Sequence, residues 1–162
     1  MHLAEFPAAA DLERMRDAAL ERRWEVLLDA RSAVNAKLEV LREQKVIGSS
    51  LQAKVVIDVD DVAAASLLKR YAASLPMLFI VSEVTLGPKA AASAALAKDA
   101  SLSAASESSA RAWTIDAAPA SGEKCPRCWR VVPNVSAAGE SLGLCDRCVD
   151  AMGSVTAGGL AG

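Results

Sequence analysis

Two short stretches decide how this chain is organised. The first is Lys124-Cys125-Pro126-Arg127-Cys128-Trp129-Arg130; the second is Leu144-Cys145-Asp146-Arg147-Cys148, with sixteen residues between the two cysteine pairs. Together they hold all 4 cysteines of the 162 residues. Each CxxC turn bends so that two sulfurs point at one centre, and two such turns complete a tetrahedron of thiolates. The spacing predicts one zinc ion held by Cys125, Cys128, Cys145 and Cys148. Four thiolates leave no open position, so the predicted site is structural. Paired disulfides would call for an oxidising compartment, and Met1-His2-Leu3-Ala4-Glu5-Phe6 has no secretory pattern. A redox dithiol or an iron–sulfur site is the other use open to these thiols.

Two readings fit the charged and aromatic residues of the turns. Arg127 and Arg147 occupy the same place in each CxxC and offset the charge of a four-thiolate centre. Alternatively, Arg127, Trp129 and Arg130 form a platform on which an unstacked RNA base and its phosphate can rest. Trp129 can equally pack the ribbon against its neighbour. Few large apolar residues surround the cysteines, so metal binding is expected to supply much of the local folding free energy, on the order of 10 kcal/mol.

Upstream of the ribbon, 89–110 is rich in Ala and Ser and reads as a weak helix or a solvated linker without a core. Arg111 to Ala117 resumes alternation, with Trp113 and Ile115 on one side of a strand. Farther back, Lys54–Val59 reads as a strand. Asp60-Asp61 cap a helix running to Leu75, with Val62, Leu67, Leu68 and Tyr71 inward and Pro76 as its stop. Met77 to Leu86 reads as a second strand, closed by Gly87-Pro88. The segment from Asp11 to Val46 reads as one long helix, with Asp11 at its start and Gly48 past its end. Leu20, Trp24, Leu27, Val34, Leu38 and Leu41 share a face. Eight acidic and eight basic residues cover the rest. Such a stripe needs a cover, and little else in the chain reads as another long amphipathic helix, which points to the chain being part of something larger.

Composition narrows the function. Ala accounts for 34 residues and aromatics for only 4%, so the effective core is smaller than the 52% hydrophobic content suggests. The net charge of −2 gives no global pull on nucleic acid, so any such binding is local. The best apolar run, Met77 to Val81, is far short of a membrane span. A cytoplasmic protein without a membrane partner is expected. The single His is His2, which argues against a Ser-His-Asp or Cys-His catalytic site. Neither GxxxxGK[ST] nor GxGxxG occurs. No catalytic residue is assigned.

The chain resembles the C-terminal end of bacterial isoleucyl-tRNA synthetase. The likeness runs through His2-Leu3 with Phe6-Pro7, Trp24 with Arg31 and Val34-Asn35, Leu38-Glu39, and Lys45-Val46-Ile47-Gly48. It continues in Leu78 to Val84, in Gly122-Glu123-Lys124 with the first CxxC and Trp129, and in Leu144 with the second. The resemblance implies an α+β chain. Residues 1–50 would be a long amphipathic helix left from a helical anticodon-binding bundle, 51–120 a small α/β module and 121–152 a zinc ribbon; the small, Gly-rich tail, 153–162, reads as disordered from its composition. The resemblance implies that the four cysteines hold zinc and that isoleucine tRNA is the partner, contacted near its anticodon. Candidate RNA contacts are Arg127, Trp129, Arg130 and Arg147. The family's HIGH-like and KMSKS-like strings are absent, so ATP-dependent activation of isoleucine would belong to the remainder of the synthetase, its catalytic and editing domains.

Two other functions fit parts of the pattern. The knuckle spacing also resembles the DNA-binding finger of formamidopyrimidine-DNA glycosylases, but those enzymes begin with a catalytic proline where this chain has His2. A protein-interaction scaffold fits the even charge balance.

Overall fold

The computed structural model describes residues 8–96, 111–137 and 139–157. The resemblance residues His2, Leu3, Phe6 and Pro7 lie outside the described residues, as do 97–110 of the Ala/Ser-rich stretch and 158–162 of the tail.

The long helix is broken near its start. α1 (Ala9–Glu13) is a single short turn, and α2 (Ala18–Glu43) is the main helix. Asp17, not Asp11, caps it by accepting the N–H groups of Ala19 and Leu20 at 2.9 and 3.0 Å. The Leu20 N–H, aided by that of Ala19, holds the Asp17 carboxyl below its usual range. Arg16 spans the break, bonding Glu13 on one side and Glu21 on the other. At the far end the helix stops before Gly48. Lys45 (φ 56°) takes the left-handed position, its N–H bonding the Arg42 carbonyl while the Val46 N–H bonds that of Leu41, both at 2.9 Å. This is a Schellman closure without its usual glycine.

The buried stripe of α2 is Val26, Leu27, Ala30, Val34, Leu38 and Leu41. Leu20 and Trp24 fall outside it, at 41% and 45% exposure, because the stripe turns away from the helix's first two turns. The cover expected from elsewhere is in the chain itself. α2 shares one continuous core with a small sheet and its helices.

That sheet has β1 (Ala53–Asp58) at its centre, parallel to β2 (Glu83–Leu86) and antiparallel to β3 (Thr114–Pro119). Along β1, Ala53, Val55 and Ile57 are buried and Lys54 and Val56 are exposed, so one face packs and the other meets water. Trp113 packs on this core and donates its indole N–H to Asp29 of α2 at 2.8 Å.

The connection from β1 to β2 is more helical than expected. α3 (Val62–Arg70) is capped by Asp61, which accepts the Ala64 N–H at 2.9 Å. Leu67 and Leu68 are buried, whereas Val62 is exposed. Pro76 does not stop this helix. It sits in the first turn of α4 (Leu75–Phe79), where its missing N–H costs nothing. The first part of the expected second strand is therefore helix. Phe79 points into the core, Ile80 closes the turn with φ 57°, and only Glu83–Leu86 is strand.

Pro88 likewise opens a helix, α5 (Pro88–Leu96), rather than terminating a strand. The Asp58 carboxylate accepts the N–H groups of Ala90 and Lys89 at 2.6 and 3.3 Å, holding the start of α5 against the end of β1. Gly87 permits this, since a Cβ there would lie 2.5 Å from Asp58 Cγ. Ala90 is fully buried, so the Ala-rich segment does contribute to the core.

The metal-binding region follows β3 directly. It comprises a short hairpin, β4 (Glu123–Lys124) with β5 (Val131–Val132), and α6 (Asp146–Ala157). Gly122 (φ 124°) leads into the hairpin where a Cβ would collide with the Val132 carbonyl at 2.1 Å. α6 carries residues 153–157 of the expected disordered tail as helix.

Candidate metal centre and the surface around it

The first CxxC turn is closed by the hairpin. The Cys125 N–H bonds the Arg130 carbonyl and the Trp129 N–H bonds the Cys125 carbonyl, both at 2.9 Å. The second is the entry to α6, where the N–H groups of Cys148 and Val149 bond the Cys145 carbonyl at 2.8 and 3.0 Å. These two backbone turns bring the sulfurs of Cys125, Cys128, Cys145 and Cys148 within 4.8 Å of one another. Cys128 and Cys145 sulfurs are 3.6 Å apart. A zinc–sulfur bond of about 2.3 Å gives a tetrahedral edge of about 3.8 Å, so the donor set fits the ion. Three of the four cysteines are buried and Cys128 is half-buried.

Electrostatics favour a bound cation. Burial raises the Cys125 thiol, but N–H groups of Cys128, Cys145 and Arg127 directed at its sulfur bring it down to about 6. Burial, together with the neighbouring sulfurs, pushes Cys145 up to about 12. Burial also raises Cys128. One thiolate forms readily while the next ones are resisted, and a dication at the centre removes that resistance.

The expected RNA contacts take different positions. Arg127 and Arg147 are exposed on the two knuckles. Trp129 is 60% exposed, in the left-handed conformation (φ 64°), and its ring has Lys124 Nζ at 5.7 Å from its centroid. It therefore does not pack the ribbon onto the neighbouring unit. Arg130 turns toward the sheet instead, donating to the carbonyl of Ser82.

Ser82 is the junction between the two parts, and nothing in the local pattern singles it out beyond its place in the resemblance. It is 3% exposed. Its hydroxyl donates to the Leu51 carbonyl at 2.5 Å and accepts the Val131 N–H at 2.7 Å. Its own N–H bonds the Ala53 carbonyl at 3.0 Å. The Ala120 N–H to Gln52 carbonyl bond, 2.7 Å, fixes the entry into the hairpin. Such contacts join elements distant in sequence, and no local spacing announces them.

Residues 122–151 match the family described as "Zinc finger found in FPG and IleRS". That finger alone does not separate the two kinds of protein in its description. The rest of the chain does. It is 38% identical over 149 residues to an isoleucine–tRNA ligase of Syntrophotalea carbinolica, covering 92% of this chain and 15% of that protein. The chain is related to isoleucine–tRNA ligase. The ligase of Staphylococcus haemolyticus is 36% identical, over 91% of this chain and 14% of its own length. That of Desulforamulus reducens is 40% identical, over 82% and 13%. The chain thus spans about one seventh of the length of these ligases, and the resemblance to their C-terminal region is borne out across both the α/β unit and the finger. Among the described residues no helix is long and apolar enough to cross a membrane.

Proposed function

We propose that this chain is a tRNA-binding part of an isoleucine–tRNA ligase, with a structural zinc ion and no chemistry of its own. Activation of isoleucine with ATP belongs to the catalytic part of the complete cytoplasmic enzyme. Here, zinc stiffens the finger, and Trp129 with Arg127 and Arg147 meets the anticodon region of isoleucine tRNA. The observation that carries this reading is the exposed Trp129 on a turn clamped by two metal ligands. Lys124 attends the indole. An aromatic face beside cations suits an unstacked base and its phosphate. Arg130 serves the reading indirectly, by holding the finger on Ser82.

The test is filter binding of isoleucine tRNA to the zinc-loaded chain across a salt series, with duplex DNA as competitor. Affinity should fall steeply with salt. Trp129→Ala should weaken binding roughly tenfold or more, as loss of one stacked base does. Binding that ignores salt and Trp129 would sink the RNA reading and favour a protein scaffold. Equal competition by duplex DNA would favour the DNA-binding finger.

A further inference from the structure

Beside the metal centre lies a groove of about 360 Å³, lined by Arg130, Val132, Pro133, Asn134, Cys145, Asp146 and Arg147. Its volume is at the lower end of small-molecule sites and on the scale of one nucleotide. One wall is the end of the hairpin and the other is the start of α6. The four sulfurs converge behind it, so zinc binding fixes the two walls relative to each other.

The lining is chemically divided. Val132 and Pro133 offer an apolar surface. Asn134, Asp146 and Arg147 are exposed at the rim, and none of these three side chains has a hydrogen bond or ion pair among the described residues. Arg130, by contrast, is already bonded to Ser82. The groove thus presents one free guanidinium, one carboxylate that only accepts, and one amide that both donates and accepts. An acidic peptide would meet the Asp146 carboxylate unfavourably, and a free phosphate would leave Asn134 and the apolar wall unused. A nucleotide answers every part: its phosphate meets Arg147, its base face meets Val132 and Pro133, and an amino group on its base edge donates to Asp146.

We propose that this groove receives one unstacked nucleotide of the bound RNA and selects a base bearing an exocyclic amine, through Asp146 and Asn134. The proposal rests on the tRNA-binding reading above and adds base selection to it. It makes Trp129 a source of affinity and the groove a source of discrimination.

The experiment measures binding of the zinc-loaded full chain to the anticodon stem–loop of isoleucine tRNA and to variants in which one amine-bearing loop base at a time is replaced by uridine. At one loop position the replacement should weaken binding roughly tenfold, as loss of one good base-edge contact does. Asp146→Asn and Asn134→Ala should each reduce that penalty at least severalfold, and one bound zinc per chain confirms that each variant is folded. Trp129→Ala should weaken every stem–loop alike and keep the penalty. If no position is penalised, or the penalty is unchanged in both groove variants, base selection by this groove is wrong, even where Trp129→Ala still weakens binding. If Trp129→Ala has no effect, the platform reading fails, and the uridine series still decides the groove. Failure of any stem–loop to bind overturns both.

Discussion

The α/β unit and the finger are held together by different physics. In the first, α2, α3, α4 and the sheet bury Leu38, Ile57, Leu67, Leu68, Leu75 and Phe79 almost completely. In the second, the buried core is three cysteines and Leu144, with Cys128, Val132 and Val149 half-buried around them. Burial of apolar area suffices to order the first region. The second has so little of it that its order depends on an ion drawing four sulfurs together. The contrast shows that two separate devices can order one short chain, with Ser82 and the Ala120–Gln52 bond among the contacts that join them.

The strongest way to test that contrast is to take the metal away. Chelation should unfold the finger while the α/β unit keeps its structure, since a structural zinc contributes on the order of 10 kcal/mol locally. Backbone NMR signals of 123–150 should collapse and those of 53–86 persist. Simultaneous loss of both regions would break the comparison. Acid should act in the same direction. Cys128 and Cys145, raised by burial, are protonated at neutral pH and must give up protons to zinc. Protons therefore compete, and since each proton displaced makes the apparent affinity fall about tenfold per unit of decreasing pH, these two thiols alone should give a fall of at least about a hundredfold. Below about 6, where Cys125 also becomes protonated, the fall should steepen. A competing chelator of known affinity reads this directly.

Next in size is the apolar side. Leu38→Ala removes a side chain that is 1% exposed and should destabilise the α/β unit by about 2–5 kcal/mol in denaturant unfolding. Zinc affinity should stay the same. Ser82→Ala tests the joint. It removes the acceptor of the half-buried Val131 N–H and the donor to Leu51, an expected loss of about 1–3 kcal/mol. The finger should still bind zinc but reorient independently of the sheet, visible in NMR relaxation. The smallest effect is expected at Lys45→Gly, which relieves a left-handed non-glycine residue and should stabilise the chain by about 0.5–1 kcal/mol.

What could be read from the sequence was mostly local. The cysteine spacing led to the metal donors because a CxxC turn is its own geometry. β1 was legible from its alternation, and Asp61 as a cap from its place before an apolar-periodic run. The helix break was not, because Asp11 and Asp17 are equally good caps by type and only packing selects Asp17. Met77 to Val81 reads as strand from sequence because a short apolar run fits a buried strand or a buried helix, and Pro76 suits the first turn of a helix as well as the end of one. The inward turn of Arg130 and the junction at Ser82 depend on contacts across 48 and 49 positions of chain. Asn134 and the groove it lines arise where the hairpin meets the helix; the paired CxxC spacing brings the two together but does not announce which side chains line the space between them.

One backbone angle leads further. Trp129 adopts a conformation that glycine accepts at no steric cost. On the proposed reading, Trp129→Gly should therefore improve thermal resistance while it weakens capture of tRNA roughly tenfold or more. In a library screened once for soluble abundance and once for tRNA retention, position 129 should rank among the most replaceable in the first and the least replaceable in the second. That inversion would locate where selection for binding has overruled selection for durability.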